Sequence, residues 1–122
     1  MSTSDFEQIT RTALVYLEKR LNIKAAFELS KFRQIIALYD QKSDGLEPEV
    51  HPALAAQMLF FSNPLDTNRA YKHYNAHLAM VVGLLMSGKP PNTIDIEEIA
   101  KKSLQLHGRG DLTDFYDFLS KW

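Results

Sequence analysis

His73 and His77 stand four positions apart, a spacing that puts both imidazoles on one face of a helix, where they can share a metal ion. Between them lie Tyr74-Asn75-Ala76, without the glutamate that a His-Glu-x-x-His metalloprotease uses as its general base. No further ligand is close in sequence, so His51, His107 or Asp66 would have to be delivered by the fold. The pair is read as ordinary hydrogen-bonded histidines, and no metal or other cofactor is expected. A second pattern, Asp40-x-Lys42-x-Asp44-Gly45, opens like a calcium loop. It fails because Lys42 occupies a position that needs a ligand oxygen and His51 occupies that of the bidentate glutamate. The chain has no glycine-lysine phosphate loop, no glycine-rich dinucleotide fingerprint and no Gly-x-Ser-x-Gly elbow. It contains no cysteine, which removes disulfides, thiolate zinc sites and cysteine nucleophiles. Arg109-Gly110-Asp111 matches an integrin-type tripeptide in letters, but Gly108 and Asp111 are explained as helix caps. The expectation is a protein that is not an enzyme.

With 122 residues, 45% hydrophobic and 24% charged, the chain has the size and composition of one globular domain, taken as residues 1–122. Fourteen Lys and Arg face fifteen Asp and Glu, so the whole-chain charge selects neither nucleic acid nor an acidic membrane. The longest apolar run, Leu78 to Met86, is about half of what a bilayer requires. The N-terminal residues show no secretory pattern. A cytoplasmic protein with no membrane association is expected.

Apolar spacing is helical almost throughout, which predicts an all-α fold, a compact bundle of five or six helices. Ser4 with Glu7 has the form of a capping box, followed by a buried stripe of Phe6, Ile9, Ala13, Leu17 and Leu21. A second stripe, Leu21, Ala25, Leu29, Phe32, Ile36 and Tyr39, keeps to one helix face. Asn22 suits a left-handed turn between these two helices, although a continuous rod, which would demand a partner chain, is the alternative. Asp40 to Val50 collects turn formers and is taken as the main loop. Pro52 fits the first turn of a third helix, buried on most sides and ended by Asn63-Pro64. A fourth helix, capped by Asp66 or Thr67, carries Ala70, Tyr71, Tyr74, Leu78, Val81 and Leu85 inward and stops at Gly88. Asp95 with Glu98 opens a fifth, with Ile96, Ile99, Ala100 and Leu104 inward and Gly108 as its end. The sixth begins at Asp111. The core is placed at Leu54, Met58, Phe60, Leu78, Val81, Leu85, Phe115 and Leu119.

From Ala53 to Gly88 the order of apolar helix, polar loop and second apolar helix resembles, in outline, the core of Fic/Doc proteins. That family's loop carries a catalytic histidine, a phenylalanine, an acidic residue, then Gly-Asn and a basic pair. The matching stretch here is Asn63-Pro64-Leu65-Asp66-Thr67-Asn68-Arg69. Asparagine stands where the histidine belongs, the glycine is missing and the loop is shorter, so only Asp66, Asn68 and Arg69 carry over, out of register. The resemblance implies at best an inactive relative, and no membership is assigned on it. Arg69 followed by His73 is similar to the pairing in HEPN ribonucleases but too closely spaced for that family.

What remains is binding. The aromatic C-terminal segment, Tyr116, Phe118 and Trp122, is a candidate partner-binding surface or a homodimer contact, unless it packs on its own core. Residues 43 to 100 hold seven acidic and three basic side chains, a surplus that suits a basic partner. The leading expectation is therefore a non-catalytic protein–protein interaction protein: an adaptor, assembly subunit, inhibitor or immunity-type protein. The alternative is a nucleic-acid-associated helical subunit using a basic strip at residues 19–33, with Arg20, Lys24, Lys31 and Arg33, of which the first three align on one side if that region is helical. Ile96 to Lys102 has the look of the first helix of a helix-turn-helix. Asp111, Asp114 and Asp117 on the next helix would repel DNA phosphates, which excludes that reading.

Overall fold

The computed structural model describes residues 3–66, 74–106 and 110–122, with the backbone alone described at 3, 4 and 91. Six α-helices occur among them: α1 Thr3–Leu21, α2 Leu29–Ser43, α3 His51–Ser62, α4 Tyr74–Met86, α5 Ile96–Ser103 and α6 Leu112–Ser120. The fold is the expected all-α bundle.

The first hairpin turns at Asn22, whose φ of 54 is left-handed. There the Ile23 N–H reaches back to the Glu18 carbonyl at 3.1 Å and satisfies one of the carbonyls that a helix end leaves open. The helix is already under way at Thr3, so Ser4 is not at its N-cap, and Glu7 pairs with Arg11 at 3.1 Å instead.

Beyond Asn22 the expectation of immediate helix fails. Residues 23–28 are not helical, and Phe27 bridges Leu65 in antiparallel fashion, through Glu28 N–H to Pro64 O and Asp66 N–H to Ala26 O, both 2.8 Å. These bonds compete with helix propagation, and Glu28 then caps α2 by accepting from the Ser30 and Lys31 amides. Register follows from the late start. Phe32, Ile35 and Tyr39 turn inward, whereas Leu29, expected in the stripe, is 56% exposed. Phe27 stacks on Phe32 with centroids 4.1 Å apart, and the Arg11 guanidinium lies over both rings, so a cation–π contact ties α1 to the start of α2.

α2 continues to Ser43, which removes Asp40 to Ser43 from the expected loop and places Asp40 on a helix rather than in a calcium-type loop. The turn that follows is held by His51. Its Nε2 lies 3.1 Å from Ser43 O and 3.2 Å from Leu46 O, and since carbonyls only accept, Nε2 carries the proton.

Helices α3 and α4 form the centre. Pro52 lies in the first turn of α3, and Asn63 ends that helix with a φ of 49. From Asn75 to Leu84 every residue of α4 is buried, because α4 contacts α1, α3, α5 and α6. Close approach depends on small residues: a Cβ on Gly83 would stand 2.9 Å from Leu119 Cδ1 and 3.3 Å from Ala56 Cβ. The helix ends at Met86 and turns away at Gly88, φ 76, with Lys89 N–H on Leu84 O and Gly88 N–H on Leu85 O, the paired bonds of a Schellman end. Its expected cap Thr67 and inward residues Ala70 and Tyr71 lie outside the described residues. Of the expected core, Leu85 alone is only half-buried. A second aromatic centre, Phe6 stacked on Tyr39 at 4.2 Å, extends the core to α1 and α2.

Candidate protein-binding groove

α5 begins as its sequence dictates. Asp95 accepts from the Glu98 amide at 3.1 Å, but the Glu98 carboxylate pairs with Lys102 at 3.0 Å instead of reaching back to close the box. The helix ends at Ser103, short of the expected Gly108, which lies outside the described residues, and tightens into a 3-10 turn over Leu104–Leu106. A 3-10 residue advances by 120° rather than 100°. Leu106 takes the buried place at 8% exposure, and Leu104, expected inward, is 53% exposed.

That exposed leucine sits in a groove of about 500 Å³ between the start of α4 and the outer face of α5. Ala76, Ala100 and Leu104 supply its apolar part; Asp95, Glu97, Glu98 and Lys101 form the charged rim. Beneath the rim lies His77, 5% exposed, its Nε2 3.1 Å from Glu97 Oε2. An ionised carboxylate only accepts, so Nε2 donates. The Tyr74 ring meets the imidazole edge-on at 5.2 Å. Glu97 itself remains 64% exposed. The arrangement is a carboxylate presented to solvent and oriented from below by a buried ring, beside an exposed aliphatic side chain.

The histidine pair divides: His77 has Glu97 as a partner, and His73 lies outside the described residues, as does His107. Among the described residues no group of three or more His, Cys, Asp or Glu is placed to hold a metal ion.

The C-terminal aromatics separate into three environments. Phe118 is 4% exposed and belongs to the core, which corrects its assignment as a surface contact. Trp122 is half-buried against Phe118, with the Lys102 ammonium 5.3 Å from its ring centroid, so the end of the chain docks on its own bundle. Tyr116, 40% exposed, lines a different depression with Pro48, Pro52 and Lys89. One face does not carry all three.

Arg20, Lys24, Lys31 and Arg33 are exposed, but they do not form one helical strip. Arg20 ends α1, Lys24 lies in the connection, and Lys31 and Arg33 belong to α2. The helical alignment expected for Arg20, Lys24 and Lys31 fails for the same reason as the apolar stripe. No helix among the described residues is long and apolar enough to cross a membrane.

Sequence reasoning missed Leu104 and Glu97. The signal for Leu104 was its neighbour Leu106, since residues two apart cannot share a helix face. Glu97 carried no such signal, because its contact with His77 spans twenty positions. No family model matches the chain, nor does any curated protein or solved structure.

Proposed function

We propose that this chain is a non-catalytic protein-binding module whose docking surface is the groove between α4 and α5. The observation that carries the reading is Leu104, half exposed in an apolar depression with charged residues around it. An apolar centre with a polar rim is the anatomy of a protein–protein contact. A residue expected in the core stands outside it while buried Leu106 takes its place, so packing of the bundle alone does not account for its apolar character.

The test compares proteins captured from the native cell by the wild-type chain and by Leu104→Asp, with Tyr116→Ser as a control on the other depression. A partner held by wild type and Tyr116→Ser but lost with Leu104→Asp supports the groove. A partner retained by Leu104→Asp refutes it.

A further inference from the structure

We infer that the groove recognises a basic amphipathic protein segment, one that seats an aliphatic or aromatic side chain on Leu104 and places a lysine or arginine on Glu97. This inference rests on the protein-binding reading above and adds the chemistry of the partner.

Three carboxylates border the groove, and they are not equivalent. Asp95 accepts from the Glu98 amide as the N-cap of α5. Glu98 is paired with Lys102 at 3.0 Å. Among the described residues Glu97 has no Lys or Arg paired with it: its Oε2 accepts from the His77 ring at 3.1 Å, and its side chain is 64% exposed. Acids in the first turn of a helix also stabilise the helix dipole. That accounts for the charge of Glu97 but not for its fixation by a ring 5% exposed. A carboxylate already held in one orientation loses less rotamer freedom when it binds a cation, and a planar guanidinium gains most from such a receptor.

Spacing sets the geometry of the occupant. Glu97, Lys101 and Leu104 follow one another at intervals of four and three, so they lie along one side of α5 and its C-cap Leu104, with Glu97 and Leu104 about 10 Å apart along the axis. A helical partner spans that distance with a basic residue about seven positions from its apolar anchor, or about four where the length of a lysine or arginine side chain covers the remainder. Lys101, between the two, repels a base placed at the Leu104 end and thereby fixes the direction of the segment.

A display library of random dodecapeptides is panned against the full chain and counter-selected on Leu104→Asp. Recovered peptides are then measured by fluorescence anisotropy against wild type and Glu97→Gln, which retains an acceptor for His77 but removes the charge. The expected peptides carry Lys or Arg four to seven residues from Leu, Met or Phe, lose at least tenfold in affinity on Glu97→Gln, and weaken with added salt. An unchanged urea midpoint for Glu97→Gln confirms that this variant folds. Leu104-dependent peptides that lack a basic bias or are indifferent to Glu97→Gln overturn the inference and leave the protein-binding groove standing. Recovery of no Leu104-dependent peptide overturns both.

Discussion

Tyr39 shows how much one buried ring decides. It stacks on Phe6 and meets His51 edge-on, joining α1, α2 and α3, and burial pushes its phenol from 10.0 up to about 12. Below pH 10 the folded and unfolded chains both keep this proton, and the residue adds no pH dependence. Between 10 and about 12 the unfolded chain releases it while the folded chain retains it, so stability falls as pH rises, by roughly 2–3 kcal/mol across the window. Urea midpoints taken from about pH 8 to about pH 12 should therefore drop less steeply for Tyr39→Phe than for wild type; equal slopes would show that the phenol does not titrate late. Leu104 is the opposite case, a large apolar residue with little role in the core. Leu104→Asp should leave the urea midpoint within about 0.5 kcal/mol of wild type, and a loss of several kcal/mol would mean that the leucine belongs to the core after all.

At the level of elements, the decisive positions are where helices stop. Asn22 holds a left-handed φ of 54, which costs most side chains about 1–2 kcal/mol but glycine nothing. Asn22→Ala should lower stability by about 1 kcal/mol and Asn22→Gly should match or exceed wild type, as read from denaturant midpoints. Gly110 is tighter still. A Cβ there would stand 2.6 Å from a ring carbon of Phe115 and 3.0 Å from Leu106 O, and Gly110 O accepts from Gln57 at 3.2 Å. Because a backbone oxygen cannot swing aside as a side-chain tip can, Gly110→Ala should cost about 1–3 kcal/mol and loosen α6 from α3. Faster amide exchange across α6 than across α1 would locate the damage; uniform loss would place it elsewhere.

For the whole molecule, a folded monomer of this length should have a radius of gyration of about 14 Å. Small-angle scattering with a solution mass checks this, and a doubled mass with a larger radius would show a dimer instead. The formal charge is −1, and Arg20, Lys24, Lys31 and Arg33 are divided over α1, the connection and α2 rather than aligned on one helix. Binding to an oligonucleotide should stay weak at every salt concentration; tight binding with a steep salt dependence would restore the nucleic-acid reading.

The amino-acid sequence by itself determined the all-α fold, the left-handed stop at Asn22, the ends of α3 and α4, the caps of α5 and α6 and nearly all of the central core. These depend on residues within a turn or two of one another, where side-chain period and capping chemistry act directly. Tertiary structure alone decided the rest. Backbone pairing of residues 26–28 with 64–66 delayed α2 and divided both the apolar stripe and the basic strip. The switch from α to 3-10 geometry after Ser103 exchanged Leu104 for Leu106 in the core, and the packing of α5 on α4 joined Glu97 to His77. Each of these outcomes depends on groups distant in sequence competing for the same hydrogen bond or the same buried volume, a competition that local periodicity does not record.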